Sequence, residues 1–119
     1  MKYLCLIYDN EQAWQKFPKD VQDGYMREYM QFTDSIKKNG QHVGSNQLQP
    51  SHTATTVRIR NGKVSTTDGP FIETKERLGG YYLIDAKDLN DAIQVASRIP
   101  SARSGAIEVR PIVERPAQA

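Results

Sequence analysis

A single cysteine, Cys5, leaves the chain without any intramolecular disulfide, so its stability has to come from packing. Cys5 lies in an apolar run, where a free thiol behaves as a small buried hydrophobe, and this usage suits a reducing compartment. Histidine is scarce too: His42 and His52 stand apart, with no cysteine or further histidine at metal-ligand spacing, and no metal site is expected. The sequence lacks the G-x-x-x-x-G-K-S/T and G-x-G-x-x-G loops that cradle phosphates, and it lacks a G-x-S-x-G elbow. Nucleotide cofactors and serine hydrolysis are therefore unsupported, and no cofactor is expected. Neither charge sign dominates. The 16 basic and 14 acidic residues are interspersed and leave +2, unlike the basic stripe that tracks nucleic acid. The apolar opening Lys2-Tyr3-Leu4-Cys5-Leu6-Ile7-Tyr8 meets Asp9 long before the roughly 20 residues of a membrane span. It also lacks a small-residue cleavage pattern, so a cytoplasmic protein without a targeting peptide is expected.

What remains is the composition of one ordinary globular domain. The 119 residues, 38% hydrophobic and 25% charged, are enough for a single core. We place the domain at residues 1–113 and expect residues 114–119 to be a frayed tail.

Lys2 to Tyr8 reads as a strand with Tyr3, Cys5 and Ile7 on one face and Leu4, Leu6 and Tyr8 on the other. Glu11 to Phe17 shows no clean period and reads as a loop, at most a helical turn carrying Trp14. From Asp20 to Asn39 the period becomes helical, with Val21, Tyr25, Tyr29, Phe32 and Ile36 in one stripe, widened by Met26, Met30 and Thr33. Asp20 is the expected N-cap and Gly40 the C-terminal stop.

Two strands, Val43 to Leu48 and Thr55 to Arg60, follow. Asn61-Gly62 then predicts a type I′ hairpin that pairs Lys63 to Thr67 back on Thr55 to Arg60, because both turn positions need positive φ. After Gly79-Gly80, Tyr81 to Ile84 is another strand bulky on both faces. Asp88 caps a helix burying Leu89, Ala92, Ile93, Ala96 and Ile99, Pro100 ends it, and Gly105 to Ile112 is the last strand. This order predicts an α+β, ferredoxin-like antiparallel sheet with two helices on one face. Two helices cover one face only, so the strands that are apolar on both sides imply a homodimer through the sheet faces.

The runs Ala54-Thr55-Thr56-Val57-Arg58, Thr67-Asp68-Gly69-Pro70-Phe71-Ile72-Glu73-Thr74-Lys75-Glu76, Leu78-Gly79-Gly80-Tyr81-Tyr82-Leu83-Ile84 and Glu108-Val109-Arg110-Pro111 resemble the DGPF branch of the YCII-related family. The resemblance covers Lys2 to Val113 and implies a bacterial protein with a dimeric α+β barrel. It also implies a regulatory link, since members of this branch are often encoded beside extracytoplasmic-function sigma factors. A His and Asp acid-base pair has been proposed in the wider family, but His42 and His52 do not occupy that motif here.

Asp68 is the leading candidate catalytic residue. Pro70 removes the N–H that an Asx turn would use, so the carboxylate either caps the Phe71 N–H or faces a pocket. A turn residue satisfied by local backbone is the structural alternative. His52, just before the strand carrying Arg58, is a second acid-base candidate because histidine titrates near neutrality. Arg58, Glu73, Lys75, Tyr82 and Arg110 are candidate ligand-binding residues, the charged ones as ion-pair or anion-binding groups and Tyr82 as a hydroxyl donor. Two functions compete: a small polar ligand bound near the DGPF run, with cofactor-free acid-base chemistry, or a non-enzymatic regulatory or protein-interaction module. Whether the chain is an enzyme stays open at this point.

Overall fold

In the computed structural model, which describes residues 1–116, the alternating bulk of the first apolar run forms strand β1, Lys2–Asp9. Tyr3, Cys5 and Ile7 are buried beneath helices, whereas Leu4, Leu6 and Tyr8 are half-buried on the opposite face. A short helix, α1, Glu11–Lys16, follows. The helix differs from the loop expected of this segment, whose apolar period is too short to signal a helix. It forms because the Asn10 side chain accepts the Ala13 N–H at 3.0 Å and caps the first turn.

Helix α2 spans Lys19–Lys38. Its N-cap is Pro18 and not Asp20, which falls inside the first turn and favours the positive end of the helix dipole. At the other end Gly40, at φ 73°, closes the helix. Gln41 N–H donates to Ile36 C=O and Gly40 N–H to Lys37 C=O, the paired bonds of a Schellman stop. Strand β2, His42–Gln47, sits at the sheet edge and bulges between His42 and Gly44.

Strands β3, Thr55–Arg60, and β4, Lys63–Asp68, form the expected hairpin, with Asn61 at φ 53° and Gly62 at φ 75°. The hairpin does not join the main sheet. It is a separate two-stranded arm, entered by a 3-10 turn at Ser51–Thr53. One of its faces carries Val57, Ile59 and Val64, exposed by 61%, 64% and 70%. The other carries Arg58, Arg60 and Lys63.

Strand β5 runs Arg77–Asp85, beginning four residues before Tyr81. Gly79 is the extra residue of a bulge opposite Ile7 and Tyr8. Helix α3, Leu89–Ser97, is capped by Asp88, whose carboxylate accepts the Asp91 N–H at 2.9 Å. It buries Ala92, Val95 and Ala96, with Ile99 just beyond it. Leu89 and Ile93, assigned by periodicity to the buried stripe, are half-exposed. The helix is only nine residues long, and its contact face centres on the small alanines, which let it lie close to the sheet. After a 3-10 turn at Pro100–Ala102, β6, Ala106–Pro111, completes the sheet.

The main sheet has the order β2-β5-β1-β6, every neighbouring pair antiparallel, with α2 and α3 on one face: a ferredoxin-like α+β fold. The core lies between that face and the helices. On the other face Leu4, Leu6, Tyr81 and Leu83 stand together at the centre, with Glu108 and Arg110 beside them. The chain is 20 Å thick in its narrowest dimension, consistent with two layers, and its sheet does not close into a barrel by itself. Of the expected tail, residues 114–116 are exposed and irregular, and residues 117–119 lie outside the described residues. Among the described residues no helix is long and apolar enough to cross a membrane.

Candidate functional site

Where α2 leans over β1 and β5, the sheet floor is low because Gly80 has no side chain. A Cβ there would stand 2.9 Å from the Asn46 carbonyl oxygen on β2, so the strands approach only with glycine at that position. The space left open is a cleft of about 580 Å³. Met26, Tyr29, Met30 and Thr33 of α2 form one wall, Trp14 of α1 another, and residues 45–50 close the far side. Trp14 is held edge-on against Phe17 and Tyr25, with ring centroids 6.1 and 5.9 Å away. A volume of this size, apolar with a few convergent polar groups, is typical of small-molecule sites.

The polar groups are tied into pairs that fix their direction. Thr33 Oγ1 donates to the Tyr29 carbonyl at 2.9 Å, one turn back in the helix. A hydroxyl has one proton, so at the 2.7 Å contact between Thr33 Oγ1 and Tyr82 Oη it is Tyr82 that donates. Tyr29 Oη lies 2.5 Å from Ser101 Oγ in the turn before β6. Burial pushes both tyrosine hydroxyls above their ordinary pKa, more strongly than their hydroxyl partners pull them down, and the Asp9 carboxylate adds to the rise at Tyr29. Both are neutral phenols at physiological pH.

Asp9, at the end of β1, accepts the Asn10 N–H and the Ser104 hydroxyl, each at 2.9 Å. Across the ladder from it, Arg77 donates from Nη1 to Ser51 Oγ at 2.6 Å and from Nε to the Thr74 carbonyl at 2.7 Å. Glu11, first residue of α1, accepts the Ser51 N–H and hydroxyl, each at 2.9 Å. The mouth of the cleft is thereby fastened to the root of the arm. Among the described residues no three His, Cys, Asp or Glu side chains gather as a metal-ligand set.

Of the residues singled out in the sequence, Tyr82 lines this cleft. Asp68, Arg58, Glu73, Lys75, His52 and Arg110 are not among the lining residues. Asp68 ends β4 on the arm, exposed, with its backbone opposite Thr55. Among the described residues the Phe71 N–H does not donate to its carboxylate. The turn is instead made by Gly69, at φ 102°, whose N–H donates to Ala54 C=O at 2.7 Å and whose carbonyl accepts the Thr56 hydroxyl at 2.9 Å.

Arg58 lies 5.1 Å over the Phe71 ring. Glu73 and Lys75 are exposed in the loop between β4 and β5, and His52 is exposed in the 3-10 turn. Arg110 pairs with Glu108 on the sheet face away from the helices. The sequence reading passed over Asp9, Tyr29, Arg77 and Ser101 as site residues. Asp9, a carboxylate directly after a strand of apolar residues, was the one legible signal. Tyr29 and Thr33 were absorbed into the apolar stripe, and nothing local marks Ser101.

Against this geometry the profile of the YCII-related domain matches residues 1–115. An uncharacterized protein of Rhizobium meliloti (strain 1021) is 33% identical over 114 residues, spanning 94% of this chain and 92% of the relative.

Proposed function

The chain belongs to the YCII-related domain family, and from that premise we propose that it binds a small amphipathic molecule in the cleft between α2 and the sheet. One observation carries the reading. Apolar walls converge on hydroxyls whose partners are fixed, so a ligand would bury its body against Trp14, Met26 and Met30 while its polar end meets Tyr29, Tyr82 and Asp9. Such preorganised polar groups cost little reordering on binding. Any reaction at this site is proton transfer without a cofactor, with Asp9 as the base.

Trp14 is the only tryptophan and lines the cleft, so it reports occupancy directly. Titration with 2-phenylethanol, a neutral probe with an aromatic body and a hydroxyl, is expected to shift and saturate its emission. An emission spectrum unchanged up to millimolar probe would remove the reading.

The working unit we propose is a homodimer joined through the sheet face opposite the helices. Among the described residues no layer covers Leu4, Leu6, Tyr81 and Leu83, and the flanking Glu108 and Arg110 give that face both charges, as a two-fold interface needs. Closing two such sheets on one another would make the α+β barrel. Sedimentation at micromolar concentration should give a dimer, and Leu6→Lys should give a monomer; a monomeric parent protein would contradict this assembly.

A second reading, an interaction module that docks a regulatory partner such as a sigma factor, draws support from the arm, whose Val57, Ile59 and Val64 are exposed in the single chain. Deleting the arm separates the two readings. Ligand binding in the cleft survives it under the first, and partner capture is lost under the second.

A further inference from the structure

The cleft has a charge bias that its apolar walls would amplify. Among its described lining residues, Asp9, Glu11 and Asp34 are carboxylates and Arg77 is the one guanidinium. Arg77 is turned toward the arm root, with Nε on the Thr74 carbonyl and Nη1 on Ser51. Glu11 is likewise committed to Ser51. Asp9 differs: its two oxygens take one neutral donor each, the Asn10 N–H and the Ser104 hydroxyl, which leaves further lone pairs and a full negative charge at the end of β1. Trp14 and Tyr29 line the same cleft, and the Asp9 charge reaches the Tyr29 hydroxyl. A carboxylate beside aromatic faces is the pairing that recognises an ammonium group, by a charge-assisted hydrogen bond on one side and the ring quadrupole on the other.

Resting on the reading of the cleft as a ligand site, we infer that the ligand class is a primary amine with an apolar body, its ammonium group held by Asp9 and its body lying against Trp14 and Met30. A carboxylate of the same shape would meet three acidic side chains and a guanidinium already engaged.

Three probes of matched shape test this by calorimetric titration of the full chain: 2-phenylethylamine, 2-phenylethanol and 3-phenylpropanoate. The amine should bind about tenfold more tightly than the alcohol, as expected for one ion pair in a partly shielded site, and the acid should bind least. Raising the salt should narrow the gap between amine and alcohol. Asp9→Asn keeps an acceptor for the Asn10 N–H. It should abolish the preference for the amine, so that amine and alcohol bind with comparable affinity, and the melting temperature should stay close to the parent. Alcohol binding without a preference for the amine, or tighter binding of the acid, overturns this inference and leaves the cleft reading standing. Failure of all three probes to bind overturns both. An amine preference that persists in Asp9→Asn also overturns it, since another group would then be the counter-charge.

Discussion

Asp9 and Arg77 stand opposite one another at the end of the β1–β5 ladder, yet each spends its hydrogen bonds elsewhere: Asp9 on Asn10 and Ser104, Arg77 on Ser51 and Thr74. Arg77 therefore acts as a fastener between the cleft mouth and the arm. Arg77→Met keeps the aliphatic stem and removes both bonds. Stability should fall by about 1 kcal/mol, and limited proteolysis should cut the 69–76 loop faster. Unchanged cleavage of that loop would show that the arm root is held by something else.

The two glycines that open β5 should respond differently to the same substitution. Gly80→Ala drives a Cβ to 2.9 Å from the Asn46 backbone oxygen, whereas a Cβ at Gly79 meets nothing within 4 Å. We expect Gly80→Ala to cost about 1–3 kcal/mol, as overpacking against backbone does, and Gly79→Ala to cost less. Thermal unfolding of the pair checks the order. Equal losses would contradict the assignment of the close approach to Gly80.

Within the DGPF run the structural weight rests on Gly69. Its φ of 102° strains any residue with a Cβ, while Asp68 is exposed. Gly69→Ala should destabilise by about 1–3 kcal/mol, and Asp68→Ala by less than about 0.5 kcal/mol. Denaturant melts decide the matter. A large loss from Asp68→Ala would restore the carboxylate as a structural element of the turn.

Alkaline conditions should weaken the fold. Burial raises the Cys5 thiol to about 11 from its model-compound value of 9.0, and it raises the Tyr29 and Tyr82 hydroxyls as well. Each is neutral in the folded chain and ionises more readily when unfolded. Their contribution is therefore complete below about pH 9 and is lost as pH rises through the folded values, about 11 for Cys5 and raised above the ordinary tyrosine value for Tyr29 and Tyr82. Urea melts between pH 7 and 11 should show this decline, and Cys5→Ala should flatten part of it. In the native protein at pH 8, Cys5 should resist iodoacetamide and become reactive only in denaturant. Rapid native labelling would contradict its burial.

How much of this was legible beforehand depended on the range of the interactions involved. The α2 stripe ending in Phe32 and Ile36, the Gly40 stop and the Asn61-Gly62 turn are set by neighbours a few residues apart, and they read directly from the sequence. The Asp20 cap and the inward Ile93 did not hold. The first is a boundary shifted by Pro18, and in the second Val95 takes the inner position on a short helix. That the hairpin would leave the sheet as an arm was not readable, because alternation predicts a strand but not which sheet it joins. The cleft was the least visible feature. It is assembled by Tyr29 meeting Ser101 and Thr33 meeting Tyr82, contacts between residues 72 and 49 positions apart. Asp68, by contrast, stands out in the sequence because it opens the compact Asp68-Gly69-Pro70-Phe71 run.

The most direct test of the account is amide and indole chemical-shift mapping by two-dimensional NMR as 2-phenylethanol is added to the full chain. The account predicts shifts at the Trp14 indole and at Tyr29, Thr33, Gly80, Tyr82 and Ser101, with residues 55–72 of the arm unmoved. Shifts centred on Asp68 to Glu73, with the cleft silent, would contradict it and return the site to the DGPF run.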